Sequence, residues 1–204
     1  MIERRSSSRA LRSTTSPASI RSTLSALRID AGEVVLRKAR DDDRPSIIEH
    51  LVDPDVHAHL GGPQPRLTVT RDLDEAGVAA ATNSAGSYLI ADKETDTFIG
   101  TVSLTRRGLH HPGHLGPSGE ELELAYTLDR RFWGRGLAYQ AASALLRTAA
   151  AELRDEPVIV VTQSANTRSL NLARRLGFVP AMTFEEFGEE QTLAVANLGR
   201  FVAP

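Results

Sequence analysis

The run of residues 131–138 combines glycines and arginines in an order that can hold a phosphate group. Gly134 and Gly136 have no Cβ, so backbone N–H groups can come close to a ligand there. A helix that begins directly after them would add unpaired N–H donors and the positive end of its dipole. Arg131 and Arg135 would add positive charge at the rim. The run therefore predicts a pyrophosphate site, and the alternative is a glycine-containing turn that binds nothing.

The spacing of these glycines separates the run from two widespread phosphate motifs. It lacks the G-x-G-x-x-G spacing of dinucleotide-binding folds. No Gly-Lys-Ser/Thr follows it, as would be found in a P-loop. The class of ligand must therefore be inferred from the segments around the run.

The neighbouring segments place this run between a strand and a helix. Residues 121–128 alternate, with leucines on one side, which predicts a strand. Residues 137–153 are rich in alanine and predict a long helix that lies close on a sheet. Further strands are predicted at 34–39, 87–91, 98–104, 157–163, 178–187 and 191–198, and further helices after residue 43, up to residue 60, at 70–81 and at 167–176. The predicted fold class is mixed α/β (α+β), with one sheet and helices on its faces.

Composition limits the chemistry that is open to the chain. It has 204 residues, no cysteine and a formal net charge of −2. The lack of cysteine excludes disulfides, thiolate metal sites and a cysteine nucleophile. No global excess of positive charge would recruit nucleic acid or an anionic membrane, and no apolar run reaches the ~20 residues that span a bilayer. We therefore expect a cytoplasmic protein with neither nucleic acid nor membrane among its partners.

Residues 1–32 differ in composition from the rest of the chain. They carry six arginines against two acidic residues, with serine and threonine clusters and no sustained period. This composition is typical of a disordered segment, although an organelle transit peptide has a similar one. We expect residues 1–32 to be a disordered leader and residues 33–204 to form the folded domain.

Four blocks of sequence follow one another in an order that points to a family. The central block joins the strand at 123–129 to the glycine run at 132–138. The other three blocks lie at 36–62, 98–104 and 166–178. Together they resemble the GNAT acetyltransferases, and more closely the branch that acetylates the N-termini of ribosomal proteins. The resemblance spans about residues 33–200, and four ordered blocks are far more specific than any one of them.

The resemblance implies the GNAT fold, a mostly antiparallel twisted sheet that splays open at the cofactor cleft, flanked by helices. It also implies acetyl-CoA as co-substrate, with the pantetheine arm paired to the backbone around Tyr126 and Leu128. Asn166 would fix this arm from the opposite wall, and the pyrophosphate would lie on the glycine run. The implied cofactor-binding set is Tyr126, Leu128, Arg131, Gly134, Arg135, Gly136, Leu137, Ala138 and Asn166.

Acetyl transfer to an amine needs a group that accepts the amine proton. Glu123 lies where the family often carries a glutamate, and the alternation of its strand places it opposite Leu122 and Leu124. A carboxylate in a partly dry cleft could take the proton directly or through water. The alternative is a solvated side chain within an acidic cluster. The resemblance implies direct transfer in a ternary complex, and the lack of cysteine agrees with it.

The sulfur that leaves also needs a hydrogen-bond donor. Many members of the family use a tyrosine on the helix after the second cofactor strand, but the tyrosines of this chain stand at 88, 126 and 139. Ser169 occupies the Asn-x-x-Ser position, where the branch often keeps a serine, and it could donate to the sulfur. Its alternative role is to cap or line the start of the helix.

The histidines suggest a metal site, but their spacing opposes one. His57 and His59 are two residues apart, so they would diverge on a helix. Residues 110–114 hold three more at helical spacing, but the proline and glycine between them prevent a helix. We therefore expect no metal, and we expect residues 110–119 to be a loop that is solvated or touches the acceptor.

The leading hypothesis is an enzyme that acetylates a primary amine, either a protein N-terminus or a small molecule. A competing hypothesis is a catalytically inactive acyl-CoA sensor or interaction module that keeps the phosphate site and lacks the base. A third is nucleic-acid binding through the arginine-rich leader. The sequence is compatible with a monomer and with a homodimer.

Overall fold

The chain folds around one sheet of eight strands, seen in a computed structural model that describes residues 23–117 and 119–202. The strands are β1 (Arg28–Ala31), β2 (Val34–Arg37), β3 (Ser87–Asp92), β4 (Phe98–Arg106), β5 (Leu122–Leu128), β6 (Pro157–Gln163), β7 (Val179–Glu186) and β8 (Glu189–Asn197). The helices are α1 (Arg44–Val52), α2 (Arg66–Ala76), α3 (Leu137–Glu152) and α4 (Thr167–Leu176).

The sheet opens in its middle, between β5 and β6. Its order is β1-β2-β3-β4-β5-β6-β8-β7, and the described neighbours are antiparallel except for β5 and β6. These two parallel strands pair only at Leu122 with Val158 and at Glu123 with Ile159. The strands separate beyond those pairs, and a cleft forms towards their carboxyl ends. The predicted fold class and the splayed sheet are confirmed.

The helices lie on opposite faces of the sheet. Helix α3 packs on one face, where Ala141, Ala142 and Leu145 are fully buried in the larger core cluster, and α4 packs beside it. The small alanine side chains let α3 lie close to the strands. Helix α1 lies on the other face, where Ile47 joins a second buried cluster with Phe98 of β4.

Most of the predicted elements are confirmed, but one helix is shifted along the chain and another is replaced by turns. Strand β6 and helix α4 have the predicted bounds. The helix expected at 70–81 is instead α2 at 66–76, because Gly77 has a φ of 80°, which ends the helix before a 3-10 turn. The short helix expected up to residue 60 is a series of turns.

The folded part begins earlier than the predicted boundary at residue 33. Strand β1 pairs antiparallel with β2 along its whole length, and Leu24 is buried in the larger core cluster. The prediction that residues 23–32 belong to a disordered leader is therefore wrong. These residues supply strand β1, which covers the edge of β2. The rest of the predicted leader, residues 1–22, lies outside the described residues. Within the described chain, no helix is long and apolar enough to cross a membrane.

Candidate functional site

A cleft with a volume of about 1120 Å³ lies between the separating ends of β5 and β6. Its other walls are the start of α3, the start of α4 and the turns at residues 55–60. Of the residues that the sequence predicted for the site, those lining the cleft are Tyr126, Leu128, Gly134, Gly136, Leu137, Ala138, Asn166 and Ser169.

Two glycines form the turn that leads into α3. Gly134 has a φ of 75° and Gly136 a φ of 76°, a region that residues with a Cβ rarely adopt. A Cβ added to either glycine would meet nothing within 4 Å, so both face open space. After these two glycines, Gln140 is the first described residue whose amide bonds to the backbone, and it donates to Gly136 O. The amides of residues 134–138 therefore remain available to an anion.

The arginines of this run lie outside the cleft lining. The Arg131 amide donates to Asp129 Oδ1 at 3.0 Å, and its guanidinium also pairs with Asp129. The amide of Arg131 is thus already engaged, unlike those of residues 134–138. Trp133 Nε1 donates to Leu128 O at 2.7 Å and fixes the run to the end of β5. This bond occupies a carbonyl that was expected to pair with the pantetheine arm.

Asn166 caps helix α4 from within the cleft wall. Its Oδ1 accepts from the Ser169 amide at 3.1 Å, and its Nδ2 donates to Thr162 Oγ1 at 3.1 Å. Both ends of the amide group are therefore engaged with the chain. The contact with β6 sets where α4 begins relative to the cleft.

Two hydroxyl groups meet on the wall formed by β5 and α4. Tyr126 Oη lies 3.0 Å from Ser169 Oγ and donates to Ser169 O at 3.2 Å. Burial raises the pKa of the Tyr126 hydroxyl, and the hydrogen bond to Ser169 offsets part of the rise. The phenol therefore stays protonated at neutral pH and can act as a donor. The sequence indicated only the backbone of Tyr126, because a contact between β5 and α4 has no local signature.

Glu123 is held by a buried arginine and does not line the cleft. Both of its carboxylate oxygens accept from Arg107 Nη1, at 3.1 and 3.0 Å. The Arg107 side chain is only 4% exposed, and its Nη2 also donates to Glu186 at 3.1 Å. This arrangement joins β5, the loop after β4 and the end of β7. A carboxylate that is already bidentate to an arginine is poorly placed to accept an amine proton.

The loop after β4 is pinned to the sheet by its histidines. His111 Nδ1 lies 2.7 Å from Glu186, and His114 Nδ1 lies 2.7 Å from Glu121. The loop is therefore docked on the sheet, in contrast to the solvated loop that was one of the two expectations for residues 110–119. In the described part of the chain, no group of three or more histidine, cysteine or acidic side chains could hold a metal ion.

Two arginines that the sequence did not indicate line the cleft from α4. Arg168 lies over the Trp133 ring at 4.7 Å, and Arg175 lies over the Tyr139 ring at 4.7 Å. Stacking on an aromatic ring orients a guanidinium while its outer edge stays free for an anion. Their helical spacing of seven residues places both on the cleft side of α4, a signal that could have been found.

Two histidines on the α1 face contact the splayed strands. His59 lines the cleft, and its Nδ1 lies 2.9 Å from Gln163 Oε1 at the end of β6. His50 is buried, with Nε2 2.7 Å from Thr127 Oγ1. Burial lowers the pKa of His50 to about 4, and the nearby His57 acts in the same direction. His50 is therefore neutral at physiological pH.

Comparison with known proteins places these features in one family. A family model described as an acetyltransferase (GNAT) domain matches residues 33–179. The uncharacterized N-acetyltransferase p20 of Bacillus licheniformis is 24% identical over 147 residues, which cover 71% of this chain and 78% of that protein.

Solved structures share the fold at low identity. A spermidine N-acetyltransferase from Vibrio cholerae, in complex with CoA and spermine, has a TM-score of 0.65 at 15% identity, covering 83% of this chain and 98% of that one. An acetyltransferase from Salmonella typhimurium that modifies the N-terminal serine of a 50S ribosomal subunit protein has a TM-score of 0.57 at 19% identity, with the same coverage. The predicted family is confirmed by the family model, and the structures confirm the fold.

Proposed function

Since the chain belongs to the GNAT family of acetyl-CoA-dependent acetyltransferases, we propose that it transfers the acetyl group to a primary amine, directly and within a ternary complex. One observation carries this proposal. The cleft between β5 and β6 ends at two glycines whose conformation leaves a row of unpaired amides facing open space. Such a row suits a pyrophosphate, and the cleft beside it, with a volume of about 1120 Å³, has room for the arm of the cofactor.

The donor would lie with its phosphates at the start of α3 and its thioester beside the hydroxyls of Tyr126 and Ser169, where α4 begins. Residues 134–138 would bind the pyrophosphate through backbone N–H groups. Arg168 and Arg175 would add positive charge from α4. Because the amide of Arg131 is held by Asp129, we assign Arg131 and Arg135 only a rim contribution to the potential.

The Tyr126–Ser169 pair would stabilise the leaving sulfur. As the carbon–sulfur bond breaks, its electron pair goes to sulfur, where a nearby hydroxyl donor lowers the energy of the developing thiolate. Because the two hydroxyls share a hydrogen bond, one of them can donate to the sulfur while the other holds the donating hydroxyl in place. This extends the role that the sequence suggested for Ser169 alone.

The acceptor class follows from the acetyl chemistry and from two structural relatives. Spermine and an N-terminal serine, named for those relatives, both present a primary amine. The chain has no cysteine that could carry the acetyl group as an enzyme thioester, which supports direct attack by the amine. We therefore propose a primary amine as the acceptor class.

Isotopic acetyl transfer tests the function. The intact protein would be incubated with labelled acetyl-CoA and either spermidine, a peptide with a free N-terminal serine, or the same peptide with its N-terminus blocked. We expect label on at least one free amine and none on the blocked peptide. Tight acetyl-CoA binding with no transfer to any amine would instead support the acyl-CoA sensor.

A further inference from the structure

We propose that His59 is the group that accepts the proton of the attacking amine, and that Gln163 positions it. This inference rests on the proposed acetyl transfer and assigns a catalytic residue to it. It begins from a contact between two segments 104 residues apart in the chain, which meet beside the open end of the cleft.

The turns between α1 and α2 hold His59 in place. The Asp53 side chain accepts from the amides of Asp55 and Val56, and the His57 amide donates to Asp53 O. The amides of Leu60 and Gly62 both donate to His57 O, at 3.0 and 3.1 Å. These bonds enclose His59 on both sides, so its ring projects from a fixed backbone into the cleft.

The contact with Gln163 selects the tautomer of the His59 ring that carries its proton on Nδ1. A carbonyl-type oxygen such as Gln163 Oε1 can only accept, so His59 Nδ1 must carry the proton in the 2.9 Å hydrogen bond. In the neutral ring Nε2 then holds a free lone pair. The structure gives Nε2 no hydrogen bond to any of the residues that it describes. Gln163 is itself buried, so the orientation of its side chain is fixed.

Two other proton acceptors near the cleft are worse placed. Glu123 has both carboxylate oxygens on Arg107 and does not line the cleft. His50 is buried under α1 with its Nε2 engaged by Thr127. His59 combines a place in the cleft lining with an uncommitted nitrogen.

The step balances without any further reagent. The amine nitrogen bonds to the thioester carbon, and the carbon–sulfur bond breaks with its electron pair passing to sulfur. His59 Nε2 takes the proton that the nitrogen loses, and the resulting imidazolium keeps its Nδ1–H bond to Gln163. The thiolate receives a proton from the hydroxyl pair or from solvent, and His59 returns its proton to solvent.

Chemical rescue tests this assignment. His59→Ala would be assayed for acetyl transfer with and without added imidazole, beside the wild type and His110→Ala, which removes an exposed histidine of the loop after β4. We expect kcat of His59→Ala to fall ~100-fold, while the Kd for acetyl-CoA stays within about twofold. Added imidazole should restore part of the turnover of His59→Ala and leave the other two proteins unchanged.

The positioning role of Gln163 has its own variants. Gln163→Leu removes the accepting oxygen, so kcat should fall ~10-fold with KM for the amine nearly unchanged. Gln163→Glu keeps an accepting oxygen and should recover most of that loss.

Each outcome decides for or against the inference. It is wrong if His59→Ala keeps wild-type turnover, or if it loses turnover that imidazole does not restore. A wild-type protein that is inactive on every amine would overturn the proposed function, and the inference with it. If the wild type is active and His59→Ala has the same turnover, the inference alone is overturned and the proposed function stands.

Discussion

The two sides of the sheet around the cleft are built by different means. The α4 side comprises residues 131–138, Tyr126 and α4, and its features are glycine conformations, free amides and a helix cap. The α1 side comprises residues 50–62 and the cluster of Arg107, Glu123 and Glu186, and ionisable side chains hold it together. Backbone geometry hardly responds to pH, whereas buried ionisable groups do.

The two sides also differ in how far apart their contacting residues lie in the sequence. On the α4 side the residues of the phosphate turn, 134–138, are consecutive, so a short motif carries that part of the site. On the α1 side the partners are 79 residues apart for Arg107 and Glu186 and 77 apart for His50 and Thr127. Apart from His59, we expect substitutions on the α1 side to affect stability and those on the α4 side to affect the donor and its sulfur.

The largest effect should come from Arg107→Met. The variant removes a guanidinium that is 4% exposed and takes from Glu123 and Glu186 the arginine that both carboxylates share. Breaking a buried ion pair from one side costs about 3–5 kcal/mol. Urea denaturation of the purified variant should show this loss in the free energy of unfolding.

An exposed arginine provides the matched control for this variant. Arg154 is 70% exposed and lies 3.6 Å from Glu156, so Arg154→Met should cost less than about 1 kcal/mol. Equal losses in the two variants would show that the α1 side does not depend on its buried charge cluster.

The next effect concerns pH and His50. Its folded pKa of about 4 lies below the ordinary 6.5, so the unfolded chain binds this proton more readily. The stability that neutral His50 contributes is therefore complete above pH 6.5 and is lost as pH falls towards 4. The shift corresponds to roughly 3 kcal/mol.

A variant without the titrating ring isolates this contribution. The stability of His50→Asn should fall less steeply than that of the wild type between pH 7 and pH 4, by that amount, in urea titrations at each pH. Parallel stability curves for the two proteins would contradict a buried neutral His50. They would also remove the contrast in pH response between the two sides.

The same contrast explains how much could be predicted from the sequence. The alternation of β5, the glycine turn and the alanine-rich α3 are local patterns, and they predicted the sheet and the start of α3, whereas the cleft was implied by the family resemblance. Ser169 was found through its distance from Asn166 in the chain. Each of these signals extends over fewer than about twenty residues.

The residues that escaped prediction depend on tertiary contacts. Arg107 carried no signal, because its partners come from β5 and β7. As a result, Glu123 looked like a free carboxylate in sequence. His59 was judged as one of a pair on a helix, whereas the structure has turns there. Its partner Gln163 becomes apparent only when the turns after α1 and the end of β6 are placed together.

The smallest effect of this series should come from Tyr126→Phe on the α4 side. Removing the hydroxyl takes one donor from the leaving sulfur and leaves Ser169 in place, so kcat should fall ~10-fold. The Kd for acetyl-CoA and the free energy of unfolding should change little. Steady-state transfer assays and calorimetric titration would measure these quantities.

A second tyrosine offers the comparison. Tyr88 Oη donates to Ala26 O away from the cleft, so Tyr88→Phe removes a buried hydroxyl that has no place in the reaction. Its kcat should match the wild type. If the two variants behave alike, the Tyr126 hydroxyl serves packing and not the sulfur.

The central claim is that the turn at Gly134 and Gly136 binds the pyrophosphate of acetyl-CoA, and calorimetric titration of Gly134→Val with acetyl-CoA tests it most directly. Gly188, in the turn between β7 and β8, has a φ of 74° and open space around it, so Gly188→Val carries the same backbone strain away from the cleft. We predict that Gly134→Val weakens binding at least ~100-fold, about 2.7 kcal/mol, while Gly188→Val stays near the wild type. Unchanged affinity in a folded Gly134→Val protein would contradict the account.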